Sequence, residues 1–164
     1  MFKKLLLAVM VALPSMTFAQ KFGIIETESI MSNLPEMKEI QTQLQAAGQK
    51  YEAEFKSLQD EAQKKYTEFQ QMDESTPKTI QERRIQEIQD LDQKIQQFRQ
   101  TASEDLQRQQ EQLIAPVRQK VFTAIQSVGA EGNFTFIFEN VMPLYTGTDV
   151  IDVTPLVKAK LGMK

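Results

Sequence analysis

The chain has 164 residues, a quarter of them charged, with 19 basic against 22 acidic side chains and a net charge of −3. That balance argues against nucleic acid as a partner, since such proteins usually carry a basic patch or a strongly basic composition. With no His and no Cys, the commonest metal ligands, general bases and thiol nucleophiles are missing, and disulfides are excluded.

The first 19 residues read as a secretory signal peptide: a positive start at Lys3 and Lys4, an apolar run from Leu5 to Leu13, and Thr17-Phe18-Ala19 before the cleavage point after Ala19. The apolar run is too short to span a bilayer, which takes about 20 residues, and no later stretch is a better candidate. Gln20 stands where a lipid-bearing Cys would. The expected mature chain is therefore soluble and periplasmic, with 17 basic and 22 acidic residues.

Phe22 to Ile25 form a short β-prone run, followed by a turn or short helix from Glu26 to Asn33. Asn33, Pro35 and Glu36 together predict a capped helix start. From Met37 the apolar residues Ile40, Leu44, Ala47, Tyr51, Phe55, Leu58, Ala62, Tyr66, Phe69 and Met72 recur every three or four positions, a helical stripe. From Leu44 onward its order of steps repeats at intervals of 11, which predicts a nearly straight or gently right-handed arm. The polar segment 73–78 predicts a turn, and Thr79 with Glu82 a capping box for the next helix. A second stripe runs through Ile80, Ile85, Ile88, Leu91, Ile95, Phe98, Ala102, Leu106, Leu113, Val117, Val121, Ala124 and Val128 to a stop at Gly129.

Folding these helices back on each other about the turn pairs residues whose numbers add to about 153, which sets large side chains against small or apolar ones. Phe55 then faces Phe98, Leu58 faces Ile95, Tyr66 faces Ile88 and Tyr51 faces Ala102, whereas Leu44 falls opposite Gln109. The shorter arm, 36–72, should be about 55 Å long. Pro116 inside the second helix removes a donor and should act as a hinge or kink.

Phe134, Phe136 and Phe138 alternate with other residues as a strand with one aromatic face, and 141–146 and 150–153 are further extended candidates. Thr154, Pro155 and Gly162 bound a short terminal helix. The fold class is thus α+β, mostly α: a long antiparallel helical hairpin, coiled-coil-like, on a small β-body formed by the N- and C-terminal segments. The organisation is a signal peptide over 1–19, a β-body with its C-terminal helix over 20–34 and 129–164, and the hairpin over 35–128. So small a sheet with open edges calls for self-assembly.

Paired carboxylates, Glu26 with Glu28 and Asp149 with Asp152, lack neighbours that would tune them for acid–base work, and read as solvated or capping groups. No catalytic, metal or cofactor site is expected. The hairpin aromatics Tyr51, Phe55, Tyr66, Phe69 and Phe98 fill the seam between the arms. A seam covered from one side only leaves their edges, with Met72 and Ile80 beside the turn, as possible client contacts.

The order of elements resembles the Skp/OmpH family of periplasmic chaperones. The resemblance is carried by Phe22 to Glu28, Leu34-Pro35-Glu36, Ile114-Ala115-Pro116-Val117, Glu131-Gly132-Asn133-Phe134, Leu144-Tyr145 and Ile151-Asp152-Val153-Thr154. It implies a homotrimer with a shared β-body containing Phe22, Ile24, Phe134, Phe136 and Phe138. It also implies an ATP-independent holdase that keeps unfolded outer-membrane proteins from aggregating. The chain departs from that pattern in being acidic, so no lipopolysaccharide site is carried over. A structural or adaptor protein of the envelope, and a lipid or lipopolysaccharide carrier, are the alternative readings of a hairpin.

Overall fold

The computed structural model describes residues 20–163; the signal segment lies outside the described residues. In chain order the elements are β1 (Phe22–Ile25), α1 (Thr27–Ser32), α2 (Pro35–Gln70), α3 (Lys78–Glu131), β2 (Phe136–Glu139), β3 (Ile151–Asp152) and α4 (Thr154–Lys160). They group into two compact units, one of residues 28–123 and one of residues up to 27 with 124–162. The α+β class read from the sequence, a helical hairpin with a small terminal β-body, is what the chain adopts.

The hairpin arms are α2 and the longer part of α3. The 36 residues of α2 span roughly 54 Å. Its start is simpler than a capping box: Leu34 is the N-cap with no side-chain bond, and Pro35 takes the first turn, where a missing N–H costs nothing. The Asn33 amide instead donates to the Ser29 carbonyl at 2.7 Å. Between the arms, Asp73 accepts from the Ser75 backbone N–H at 2.7 Å, and the Thr76 N–H bonds the Asp73 carbonyl at 2.9 Å. This Asx turn reverses the chain, and the Ser75 bonds hold the Asp73 carboxyl below its ordinary range. α3 begins at Lys78, so Thr79 lies inside the first turn and is not its cap. The helix runs unbroken past Pro116, whose ring leaves the Gln112 carbonyl without its usual donor.

α3 continues two residues beyond Gly129. The stop is built at Asn133, the one non-glycine residue with positive φ (52°) among those described. Its N–H bonds the Ala130 carbonyl at 3.3 Å, and the Phe134 N–H reaches the Gly129 carbonyl at 2.9 Å. That bond pair is a Schellman motif, with Asn taking the left-handed position usually given to Gly. Gly132 precedes it because a Cβ there would lie 2.4 Å from the Phe134 ring.

In the body, β1 is the central strand of a parallel sheet ordered β2-β1-β3. Phe22 pairs with Phe136 and Ile24 with both Phe138 and Asp152; the alternate residue Gly23 pairs with Ile137 and Ile151. One face is closed: a Cβ on Gly23 would sit 3.1 to 3.2 Å from Val153, Ile137 and Phe134, and one on Gly129 would lie 3.5 Å from Ile137. Val153, Val157 and Ile25 are buried in the same unit. The segment 141–146 forms no strand. The Met142 N–H turns back to the Glu139 carbonyl at 3.0 Å, and Pro143 has no donor to offer a ladder.

Candidate functional site

Among the described residues, no three His, Cys, Asp or Glu side chains converge as metal ligands. Two of the four carboxylates singled out by sequence serve the fold: Glu26 accepts from the Asn140 amide at 2.9 Å, and Asp152 accepts from the Thr154 N–H at 2.9 Å, at the start of α4. The Glu26 N–H in turn donates to the Thr154 hydroxyl at 3.0 Å. What remains as candidate functional surface is apolar, and it lies in two places.

The first is the open face of the sheet. Phe22 stacks on Phe136 with ring centroids 6.3 Å apart, and Phe136 on Phe138 at 5.7 Å. Phe136 remains 56% exposed and Phe138 40%, a heavy aromatic load for a surface in contact with water. Beside them a cleft of about 170 Å³ is lined by Phe22, Ile24, Phe138, Pro143, Tyr145 and Val150. Val141, Met142, Leu144 and Tyr145 follow with most of their surface uncovered. The single aromatic face expected of Phe134, Phe136 and Phe138 is split. The strand begins only at Phe136, and Phe134, still in the turn, packs near Gly23 on the closed face with the Lys21 ammonium 4.3 Å from its ring centroid.

The second is the seam of the hairpin. Tyr51 meets Phe98 edge-on at 6.1 Å, Arg99 lies over the Phe55 ring at 5.9 Å, and Lys65 reaches Glu87 across the arms at 3.2 Å. Lys120 also bonds Glu36, which lowers the Glu36 pKa. These cross-arm partners have residue numbers adding to between 149 and 156, bracketing the register read from the stripes. Ile40, Leu58, Leu91, Ala102 and Val117 are buried. Toward the turn the seam opens: Tyr66 is 49% exposed, Ile80 45% and Ile85 42%. Of the side chains named from sequence as possible client contacts, Tyr51, Phe55, Phe69, Met72 and Phe98 are half-buried, whereas Tyr66 and Ile80 are open.

Ile85 belongs with that open group, although its place on the stripe marked it as seam. Phe122, 53% exposed, lies off the stripe, and its place beside the stripe residue Val121 rather than on the stripe was the available signal. The most polar part of the seam was also missed. Asp105 accepts from the Tyr51 hydroxyl, from Arg108 and, at 2.5 Å, from Gln109. These bonds, Tyr51's first, hold the Asp105 carboxyl low, while the same carboxylate raises the Tyr51 phenol. The lapse of the apolar pattern at Gln109 was the available signal.

Nearer the turn, Glu87 gathers Arg84 at 2.8 Å, Arg83 at 3.1 Å and Lys65 at 3.2 Å. The Arg84 bond, then the Lys65 bond, brings its carboxyl down to about 2. Among the described residues, no helix is long and apolar enough to cross a membrane.

No curated protein matches the chain. A family model described as outer membrane protein (OmpH-like) matches residues 21–161, and with a hairpin and terminal sheet spanning that same range, the chain belongs to the OmpH-like family.

Proposed function

We propose that this protein is an ATP-independent periplasmic holdase that binds unfolded outer-membrane proteins and prevents their aggregation, working as a homotrimer. Membership of the OmpH-like family supports the chaperone class. The observation that carries the holding mechanism is the opening of the seam, where Tyr66, Ile80 and Ile85 present apolar surface on otherwise polar arms. Phe69 and Met72 add half-covered edges. Many weak contacts of this kind, repeated on several arms, hold a flexible chain by avidity and need no single essential residue.

Assembly has its own support. Parallel sheets normally have both faces covered, and here the chain covers one. Phe22, Ile24, Phe136 and Phe138 line the other, so burial against further copies would remove a large aromatic surface from water. Phe134 contributes from beneath, fixing the end of α3 against β1.

The test is light scattering of a urea-unfolded β-barrel protein diluted into stoichiometric amounts of this protein. Suppressed scattering is expected, lost on deleting residues 51–98 and little changed by any one substitution among Tyr66, Ile80 and Ile85. Unchanged scattering would mark a spacer or adaptor. Sedimentation equilibrium checks the assembly, and a stable monomer defeats the trimer.

A further inference from the structure

The apolar stripes that join the arms carry little register information. Along α2, Leu44, Phe55 and Tyr66 lie 11 apart, as do Ala47, Leu58 and Phe69, and neighbouring stripe positions are three or four apart. A slide of one arm by a single helical turn would again set apolar side chains against apolar side chains. Burial alone therefore discriminates weakly between the observed register and its neighbours.

One site on the seam is not interchangeable. The Tyr51 ring is held edge-on against Phe98, and its hydroxyl donates to Asp105, which also accepts from Arg108 and Gln109. The Asp105 side chain retains only 22% of its surface; its bonds from Tyr51 and Gln109 are part-buried, whereas that from Arg108 is exposed. A one-turn slide in either direction would carry Asp105 from Tyr51 to the level of Ala47 or Phe55, neither of which has a donor. Arg108 and Gln109 lie on the same helix as Asp105 and travel with it, so the Tyr51 hydroxyl is the one donor that the register decides; losing it leaves a half-buried carboxylate facing an apolar side chain, which is costly. The cross-arm ion pairs, Lys65 with Glu87 and Lys120 with Glu36, involve long and partly exposed side chains that can follow a slide.

We propose that Tyr51 and Asp105 form a register pin, with Gln109 and Arg108 as its supports, and that this pin selects one alignment of the two arms. Tyr51 and Asp105 are positioning residues: by fixing the alignment they determine which side chains near the turn, Tyr66, Ile80 and Ile85 among them, are left uncovered. The pin stands on the seam geometry alone and is independent of what the arms hold.

The absence of native Cys allows a clean distance measurement. Spin labels on Q45C and Q89C, both exposed positions, are offset along the hairpin axis by roughly 28 Å, so a slide of one turn shifts their separation by about 5 Å. Labelled chains are diluted with unlabelled ones to isolate the distance within one hairpin. Pulsed double-resonance spectroscopy is expected to give one distance population in the parent and a second, displaced by about 5 Å, in Tyr51→Phe. The ring packing on Phe98 survives that change, and helicity by circular dichroism should stay the same. Asp105→Asn, which keeps an acceptor oxygen, should show the same second population at a lower fraction. Lys65→Gln should leave the parent distribution unchanged. A single parental distance in both Tyr51→Phe and Asp105→Asn overturns the proposal, and so does equal broadening by Lys65→Gln.

Discussion

Adding one methyl group to the central strand tests how the closed face of the body is packed. In Gly23→Ala the new Cβ would lie 3.1 Å from Val153 Cγ1, 3.2 Å from Ile137 Cγ1 and 3.2 Å from Phe134 Cδ1. Overpacking of a close-packed site costs about 1–3 kcal/mol, and Ala recovers about 0.5–1 kcal/mol of the entropy that Gly loses in a strand. The net loss should be about 1–2 kcal/mol.

Val153 is fully buried, so Val153→Ala alone should cost about 1.5–2.5 kcal/mol in lost burial and cavity. The two changes oppose each other, because the second removes the nearest atom that the first would meet. Ile137 and Phe134 stay in place, so relief is partial. The double variant should be about 1 kcal/mol more stable than the sum of the single losses, measured by urea denaturation at one fixed protein concentration. Strict additivity, within about 0.5 kcal/mol, would mean the close approach at Gly23 does not limit packing, and the reasoning would fail.

Gly132→Ala should destabilise the body by about 1–3 kcal/mol, because its Cβ meets the Phe134 ring; Asn133→Gly, at positive φ, should cost little or nothing in thermal melts. The Glu87 carboxyl, at about 2 in the folded arms against an ordinary 4.5, adds stability that is complete above pH 4.5 and is lost as the pH falls toward 2. Glu87→Gln should therefore flatten the pH dependence of helix melting between pH 4.5 and 2. Added salt should also narrow the difference between the two proteins, since the Arg83 and Arg84 partners are well exposed. An undiminished slope in Glu87→Gln would place the acid sensitivity elsewhere.

The hairpin was legible from its residues because a long stripe at helical spacing states both where the helices run and which face meets the partner. Cross-arm contacts such as Lys65 with Glu87 fall close to the register obtained by folding those stripes about the polar turn at 73–78. The resemblance to the Skp/OmpH family rested on local segments, and the family match over residues 21–161 bears it out. Helix ends were less legible. Gly129 looked like a stop by its own conformational freedom, but the carbonyls of Gly129 and Ala130 find their donors about one turn further on, at Phe134 and Asn133. The split of the three phenylalanines followed from the same turn, since alternation holds only once a strand has begun. The polar site at Asp105 was visible only as an exception, because a cross-arm hydrogen bond leaves no periodic trace.

The placement of β1 at the centre of the sheet sets an order of events. Phe22 pairs with Phe136, and Gly23 with Ile151, so the strand made first must wait for more than 110 further residues before either edge is satisfied. The hairpin, built from contacts between neighbours on either side of one turn, can form while the chain is still being delivered. Closing such distant pairings last is slow, and until then the Phe22 strand stays unpaired and adhesive. A chain interrupted before Val153, whose N–H bonds the Ile24 carbonyl at 2.9 Å, would keep its arms and the pairing of β1 with β2 but lose that anchor of the third strand and the buried side chains of Val153 and Val157.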